Sequence, residues 1–341
     1  MSHLIAYYLP QFHRVKENDQ WWGEGFTEWV ALNNSKSYFS SQEIRMPTEL
    51  GQYDLLDPAV LTTQYALASK YGVDAFCMWS YWFGDGEVLL EKPLQLILDN
   101  DIAVKYCIAW ANHSWFNKTK GLLLKEQKYL GIEDYRKFYG YIRNHILSDN
   151  YYKINGRPVF TIYDPKSIPD LSEFITTFNN LAREDGFSGM YFIAESTDST
   201  EDYVKNFDAY LNSQQMYGFR SLYHKIKEKL VRKYRVESLG PIKYSYKDMV
   251  EYLDKRVLDE NEIPVIFSGW DTTIRHKKLG VYFDDFTLLN FSIHVKSVFT
   301  KKNKDGITFI KSWNEWAEGN VIEPDTIFGK YLLDAIKKHK I

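Results

Sequence analysis

The sequence predicts a single (β/α)8 TIM barrel over residues 1–341, with long loop insertions at the face where the strands end. Eight short β-branched and aromatic runs alternate with segments of helical length, which is typical of a parallel sheet. The runs are almost continuously apolar, as expected for strands covered on both faces. A chain of 341 residues suits one barrel of roughly 250 residues with insertions. No G-x-G-x-x-G motif follows the first run, which argues against a dinucleotide-binding Rossmann fold.

The predicted strands and helices alternate along the whole chain. The strands are Leu4–Leu9, Val73–Trp79, Val104–Trp110, Pro158–Tyr163, Met190–Ala194, Ala209–Leu211, Pro264–Trp270 and Ile307–Trp313. Asp57 and Pro58 mark the start of the first helix, because Asp favours the N-cap and Pro favours the first turn. The predicted helices are Ala59–Tyr71, Lys92–Asn100, Ile132–Leu147, Leu171–Glu184, Tyr246–Asp259, Phe286–Thr300 and Ile327–His339.

Two long insertions interrupt this alternation. The first runs from about Gln11 to Asp57. The second, residues 219–247, holds nine Lys or Arg against two Glu, and we call it the basic segment. It is interpreted either as a basic lip that meets phosphate, an anionic sugar or a membrane-bound lipid carrier, or as a solvated surface helix. Asp284 and Asp285 resemble the acidic motif of nucleotide-sugar glycosyltransferases, but capping of a helix beginning near Phe286 is the simpler interpretation.

Composition limits the function classes. The net charge of −3 predicts no general attraction to nucleic acid. Cys77 and Cys107 lie in apolar runs and are expected to be buried free thiols. His13 and His113 lack the spacing of common metal motifs, so we expect neither a metal nor another cofactor. No signal peptide and no apolar run long enough for an integral membrane segment is found, so a cytoplasmic location is expected.

Polar and aromatic side chains gather at the predicted strand ends, where barrel enzymes place their active sites. Carboxylates and amides can pair with hydroxyl groups and indole faces can cover C–H patches, which predicts a sugar site. The residues predicted to contact substrate are Tyr8, Gln11, His13, Trp22, Glu28, Trp79, Tyr81, Trp82, Trp110, Asn112, His113, Tyr163, Glu195, Gln214, Trp270, Asp271, Asn314 and Trp316.

The segment KSWNEWAEG, from Lys311 to Gly319, carries two carboxylates three residues apart. Glycosidic bond cleavage needs one protonated carboxylic acid and one carboxylate near the anomeric carbon. Two neighbouring carboxylates in an aromatic pocket would separate their pKa values and so supply both forms. We therefore predict Glu315 and Glu318 as the catalytic pair. The alternative is that Glu318 faces solvent while Glu315 binds a structural partner.

Ordered blocks along nearly the whole chain carry a resemblance to a known family. They are YYLPQFHRVKENDQWWGEGFTEW (Tyr7–Trp29), MPTELGQYDLLDP (Met46–Pro58), YGVDAFCMWSYWFGDGEVLLEKPL (Tyr71–Leu94), IAWANHSW (Ile108–Trp115), SGWDTTIR (Ser268–Arg275) and WNEWAEGNVIEPD (Trp313–Asp325). The chain resembles the WbsX-like proteins of bacterial surface-polysaccharide gene clusters, which are related to glycoside hydrolase family 99, the endo-α-mannosidases.

The resemblance implies a (β/α)8 barrel with retaining chemistry. It implies that Glu315 acts as a base through the sugar 2-hydroxyl and that Glu318 is the general acid and base. The family's third-strand block usually reads Ala-Asn-Glu-Asn-Trp and is followed by arginines, whereas Ala111–Trp115 reads Ala-Asn-His-Ser-Trp. Because of this departure, the substrate preference of the family is not expected to carry over.

Three functions stay open at this point. The leading one is a retaining glycosidase or transglycosidase acting on a bacterial surface oligosaccharide or its lipid-linked precursor, with a possible peripheral membrane contact through the basic segment. The second is a nucleotide-sugar-dependent glycosyltransferase of lipopolysaccharide biosynthesis, although the sequence has no Gly-rich phosphate loop. The third is a non-catalytic glycan-binding barrel.

Overall fold

The computed structural model describes residues 3–117, 121–195 and 199–340 and contains one curled sheet with eight parallel strands. Each of the eight predicted strands is present. Numbered along the chain, they are β1 (His3–Tyr8), β2 (Ala75–Trp82), β3 (Tyr106–Trp110), β4 (Arg157–Ile162), β5 (Tyr191–Ala194), β6 (Ala209–Tyr210), β7 (Val265–Phe267) and β8 (Ile307–Lys311). Their order across the sheet is β6-β5-β4-β3-β2-β1-β8-β7.

The edge strands β6 and β7 approach each other through a short contact. One isolated parallel bridge joins Tyr210 of β6 to Glu262, three residues before β7. The Tyr210 N–H donates to the Asn261 carbonyl (3.1 Å), and the Ile263 N–H donates to the Tyr210 carbonyl (2.7 Å). The architecture is therefore an α/β fold with a curled parallel sheet whose two edges meet at one bridge rather than along a continuous ladder.

Burial on both sides explains why the strand sequences are apolar without alternation. Every residue of β2 is buried, and so are Leu4–Tyr8 of β1. Across the strands, Tyr7 stacks on Trp79 with ring centres 4.7 Å apart. Cys77 and Cys107 lie on adjacent strands as buried free thiols, which confirms that prediction.

The helices surround the sheet and largely follow the predicted positions. They are α1 (Lys16–Trp22), α2 (Glu28–Asn33), α3 (Pro58–Lys70), α4 (Lys92–Asp99), α5 (Ile132–Leu147), α6 (Leu171–Glu184), α7 (Leu222–Glu228), α8 (Tyr246–Lys255), α9 (Thr273–His276), α10 (Leu288–Thr300) and α11 (Tyr331–His339). The Asp57 side chain accepts a hydrogen bond from the Ala59 N–H (2.9 Å), which confirms the predicted cap of α3. Within the described residues, every helix is too short or too polar to cross a bilayer.

The predicted capping role of Asp285 is wrong. The helix α10 begins at Leu288, and Thr287 caps it by accepting from the Asn290 N–H (3.2 Å). Asp285 instead accepts from the Tyr246 N–H (2.6 Å) and so supports the start of α8. The side chain reaches a helix that is distant in sequence, which local spacing does not reveal.

Both insertions contain regular structure. The first carries α1 and α2, and the basic segment carries α7 and the strand Ile242–Ser245, which pairs with Val281–Asp284. Further short pairings add to the main sheet or to its loops. They join Trp115–Asn117 to Leu122–Lys125, Asn314–Glu315 to Asn320–Val321, Val88–Leu89 to β2, and Lys153–Ile154 to β4.

Candidate active site

The two predicted catalytic carboxylates project from one tight hairpin after β8. Asn314–Glu315 pairs with Asn320–Val321, and a short 3-10 turn over Trp316–Glu318 lies between them. Gly319 closes the turn at φ 57°, a conformation that favours glycine. A Cβ at Gly319 would lie 2.7 Å from the Cβ of Asp271, so the hairpin packs directly on the loop after β7. Glu315 and Glu318 are both half-buried.

Arg275 connects this hairpin to the first insertion. Its guanidinium lies 3.2 Å from a carboxylate oxygen of Glu318 and 2.8 Å from one of Glu28. Glu28 begins α2 and is buried, whereas Arg275 lies on α9 and is partly exposed. Burial lowers the pKa of the Arg275 guanidinium, but the charges of Glu28, Glu318 and Glu315 raise it above its ordinary value. Arg275 therefore stays positively charged, and its guanidinium lies between the carboxylates of Glu28 and Glu318.

Glu315 has a strongly perturbed electrostatic environment. Burial, followed by the negative charge of Glu318, raises the pKa of Glu315 to about 8, although Arg275 and Lys311 act in the opposite direction. A carboxyl group with this pKa holds its proton near neutral pH. Glu318, by contrast, lies against a guanidinium. Within the pair, Glu315 is therefore the carboxyl group whose protonated form is favoured, and Glu318 is the one that contacts Arg275.

A buried ion pair lies close to Glu315. The Lys311 Nζ at the end of β8 is 3.1 Å from an oxygen of Glu195, which follows β5. The same Glu195 oxygen accepts from the Ser213 hydroxyl (2.5 Å). Burial lowers the pKa of Lys311, but Glu195 and Glu315 together hold it above its ordinary value. The Lys311 Nζ also lies 5.8 Å from the ring centre of Trp270. This cation at the end of β8 therefore contacts residues that follow β5 and β7.

Glu323 supports the hairpin from within the core. It is 1% exposed and accepts hydrogen bonds from the indole of Trp316 (2.7 Å), the hydroxyl of Tyr53 (3.0 Å) and the amide of Gln64 (2.7 Å). Burial raises the pKa of Glu323 to about 7, although these donors act in the opposite direction. The indole of Trp316, between the two catalytic candidates in sequence, is therefore fixed by a buried carboxyl group.

Six of the predicted substrate-contacting residues lie in the packed interior. Asn314, for example, accepts from the Leu9 N–H (2.7 Å) and donates to the Leu9 carbonyl (3.0 Å), which ties the hairpin to the end of β1. The six bond through their polar atoms to other protein groups: Tyr8 to Gln64, Trp82 to Asp134, Trp110 to the Trp82 carbonyl, Asn112 to the Asp164 carbonyl, Asn314 to Leu9, and Trp316 to Glu323. These bonds occupy the groups that sugar hydroxyls would need.

Other predicted residues lie around the acidic pair. Burial and the charge of Glu315 raise the pKa of Tyr81. Tyr163 contacts Trp79 edge-to-face at 5.7 Å and His113 at 5.1 Å, so these three rings form one aromatic cluster. The Trp270 indole N–H is buried and has no hydrogen-bond partner among the described residues.

The remaining predicted residues have different surroundings. Asp271 accepts from Gln42 (2.6 Å) and from the Thr273 hydroxyl (2.5 Å), so its oxygens bond to the protein. Gln11 and His13 are buried, whereas Gln214 is exposed and Trp22 is 43% exposed beside Phe26. A pocket of about 200 Å³ opens behind the hairpin, between the first insertion and the loop after β7. Its lining includes Arg45, Trp270, Asp271, Phe286, Trp316 and Gly319.

Two charged residues at the site were absent from the predicted set. Arg275 lies four residues after Asp271 and Lys311 is the only cation of β8. Lys311 carries a recognisable signal, since a cation inside an apolar strand needs a buried partner. Arg275 carries none, because its two partners come from distant parts of the chain. Among the described residues, no group of three or more His, Cys, Asp or Glu is arranged to hold a metal ion.

Comparison with known proteins finds relatives that match nearly the whole chain. Two proteins called "Uncharacterized protein WxcX", from two strains of Xanthomonas campestris pv. campestris, are 29% identical over 353 aligned positions. The match covers 98% of this chain but 49% of theirs, so the chain spans about half the length of these curated relatives.

Solved structures share the fold at low sequence identity. The GH99 endo-alpha-mannosidase from Bacteroides thetaiotaomicron superimposes with a TM-score of 0.59 at 18% identity, over 98% of this chain and 95% of that chain. A structure described as a "Glycoside hydrolase-like protein" gives a TM-score of 0.57 at 15% identity, over 100% and 94% of the two chains. These similarities show the fold. The sequence profile of the family described as "Glycosyltransferase WbsX" matches residues 4–336, and the chain therefore belongs to that WbsX family.

Proposed function

We propose that this protein is a carbohydrate-active enzyme that cleaves or transfers glycosidic bonds, in a single closed (β/α)8 barrel. The observation that carries the proposal is the electrostatic division of the Glu315 and Glu318 pair. One hairpin presents both carboxyl groups, and the pKa of Glu315 near 8 lets it hold a proton while Arg275 stabilises the charge of Glu318. Glycosidic bond cleavage needs one carboxyl group of each kind. The ring cluster of Trp79, Tyr163 and His113 supplies aromatic faces suited to a sugar.

The proposed reaction retains the anomeric configuration and uses the roles that the family resemblance implies. These roles need the proton on Glu318 and the charge on Glu315, which is the reverse of the direction in which burial and Glu318 shift the pKa of Glu315. The proposed reaction therefore begins with transfer of that proton from Glu315 to Glu318 when substrate binds. Glu315 then takes the proton of the sugar 2-hydroxyl as O2 bonds to C1. The bond from C1 to the leaving oxygen breaks, and Glu318 protonates that oxygen. In the second half, Glu318 takes the proton of the incoming water or hydroxyl, whose oxygen bonds to C1. The bond from C1 to O2 breaks in the same step, and O2 recovers its proton from Glu315.

The substrate we propose is a bacterial surface oligosaccharide or its lipid-linked precursor, and a cytoplasmic location stays a prediction. The solved structures with this fold include an endo-alpha-mannosidase, so an α-mannosyl linkage is the first to test. The sequence departs from that group at His113, whose ring lies 5.1 Å from that of Tyr163. We therefore propose that the enzyme binds a different sugar at this edge of the cleft.

The test follows anomeric NMR signals during incubation of the protein with bacterial surface oligosaccharides, α-mannosyl compounds included. We expect loss of one glycosidic signal and first appearance of a product with the same anomeric configuration. Glu315→Gln and Glu318→Gln should each lower the rate by roughly 100-fold or more, because each removes a proton-transfer group. The matched control is Glu24→Gln, an exposed carboxylate in the first insertion. Full activity in both site variants would contradict the proposed catalytic pair, whereas glycan binding by the wild type without any bond cleavage would favour a glycan-binding barrel.

The family description favours one further candidate, a nucleotide-sugar-dependent glycosyltransferase. This reaction would release a nucleoside diphosphate when a nucleotide sugar and an acceptor are present. The same incubation with nucleotide sugars, followed by phosphorus NMR, separates the two candidates. If nucleoside diphosphate is released and the release depends on Glu315 or Glu318, the site carries out this transfer reaction instead of the proposed hydrolysis or transglycosylation.

A further inference from the structure

The outer face of α7 in the basic segment is apolar and uncovered. Leu222, Ile226 and Leu230 are spaced four residues apart, so they lie on one face of the helix and of the helical turn that continues it to Lys233. Their exposed fractions are 73%, 50% and 37%. Tyr223 and Tyr234 are exposed as well. A row of large exposed apolar side chains at helical spacing indicates an interaction surface.

The opposite side of the same helix is attached to the protein body. His224 packs edge-to-face on Tyr244 with ring centres 5.3 Å apart. Glu228 accepts from the Tyr244 hydroxyl (3.3 Å), and Val231 is fully buried. The helix therefore holds a fixed orientation in which its apolar row faces outward.

Basic side chains border the apolar row. Lys225, Lys229 and Lys233 are exposed and form no ion pair with an acidic group among the described residues. The acidic Glu228 is occupied instead by ion pairs with Arg220 and Arg232. An outward apolar face bordered by lysines complements the apolar interior and the anionic headgroups of a lipid surface.

We propose that this face of the basic segment docks on an anionic lipid bilayer. Leu222, Ile226 and Leu230 would enter the boundary between headgroups and acyl chains, and the bordering lysines would contact lipid phosphates. Exposed tyrosines beside the row suit the same interface. The basic segment holds nine Lys or Arg against two Glu, and this excess of positive charge around an apolar row favours an anionic membrane over a protein partner.

The position of this face relates it to the acidic pair. The basic segment begins two residues after Tyr217, and the guanidinium of Arg220 lies 4.7 Å from the centre of the Tyr217 ring. The charge of Glu318 contributes to the raised pKa of Tyr217, after the larger effect of burial, so this tyrosine lies near the cleft. Docking would therefore bring the cleft close to the bilayer. The docking does not depend on the proposed reaction, since it uses none of the catalytic groups.

The test is co-sedimentation of the full chain with vesicles, without any turnover. We expect binding to vesicles that mix phosphatidylglycerol with phosphatidylcholine, weak binding to phosphatidylcholine alone, and loss of binding as salt increases. The double variant Leu222→Ser/Ile226→Ser should bind the vesicles at least roughly tenfold more weakly than the wild type, because it removes two aliphatic side chains from the acyl boundary. Lys225→Glu/Lys229→Glu should reduce binding to the anionic vesicles and its salt dependence.

The matched control is Leu289→Ser/Ile293→Ser on α10, which removes two exposed aliphatic side chains at the same spacing. Circular dichroism melts of all variants report whether each is folded. Absence of wild-type binding to anionic vesicles at low salt would overturn the proposal. So would equal weakening by the α10 control. Self-association that Leu222→Ser/Ile226→Ser abolishes, without vesicle binding, would assign the face to a second copy of the chain instead.

Discussion

The buried carboxyl group of Glu323 predicts a specific pH dependence of stability. The pKa of Glu323 is raised to about 7 in the folded protein, against an ordinary value of 4.5. Between these values the folded state binds a proton that the unfolded state has released. The associated stability is therefore complete below about pH 4.5 and is lost as pH rises through about 7. At about 1.4 kcal/mol per tenfold change in acidity, the loss amounts to about 3 kcal/mol.

The variant Glu323→Gln isolates this contribution, because it keeps the size of the side chain and removes the titration. Its amide oxygen can accept from Tyr53 and Trp316, but its NH2 group would face the Gln64 amide, which donates to Glu323 in the wild type. We expect this mismatch to cost roughly 1–2 kcal/mol at every pH. The pH dependence then appears in the difference between the two proteins.

The assay is urea unfolding of both proteins at intervals from pH 5 to pH 8. We expect the free energy of unfolding of the wild type to fall relative to that of Glu323→Gln by about 3 kcal/mol over this range. Glu133→Gln, which replaces a carboxylate with an 87% exposed side chain, reports the general effect of removing one negative charge. A difference between wild type and Glu323→Gln that stays constant within about 1 kcal/mol would refute the reasoning, because Glu323 would then be ionised throughout.

Three further predictions concern neighbouring charges and a helix cap. Arg275→Met should lower the free energy of unfolding by roughly 3 kcal/mol, since it leaves the buried Glu28 without its cation, and Glu28→Leu/Arg275→Met should recover part of this loss in urea unfolding. Lys311→Met should raise the pKa of Glu315 further, because the Lys311 charge lowers it. Carbon-13 NMR titration of labelled Glu measures this pKa, and an unchanged value would contradict the prediction. Asp57→Ala should cost about 1 kcal/mol in thermal unfolding through loss of the α3 cap, whereas a cost near zero would exclude a capping contribution.

The fold was largely predictable because burial leaves a strong pattern in the sequence. The strands β1 to β8 are covered on both faces, so their apolar runs were visible without an alignment. The helices α5 and α6 have the predicted bounds Ile132–Leu147 and Leu171–Glu184. The start of α11 was less accurate, at Tyr331 instead of Ile327, because Asp325 accepts from the Ile327 and Phe328 N–H groups and forms a turn first.

The sequence located Glu315 and Glu318 directly after the last strand, but it did not reveal the surroundings of this pair. Position after a strand shows that Trp110 is near one end of the sheet, but not that its ring stacks on Phe174 in the interior. Side-chain direction depends on the exact strand end, which sequence locates within a few residues. Arg275 was missed for a related reason, since its carboxylate partners are 247 and 43 positions away in the sequence. Such contacts depend on loop paths that local patterns do not encode.

The tie between Asn314 and the Leu9 backbone has a consequence for biosynthesis. The two residues are 305 positions apart, and β1 pairs with β8 as well as with β2. The strand β1 therefore keeps one side unpaired until synthesis has passed β8. Strands β1 to β7 can associate with each other before that time, but the cleft forms only when β8 and the hairpin after it emerge. A nascent chain stalled before β8 would expose the apolar edge of β1 and would depend on chaperones to avoid aggregation.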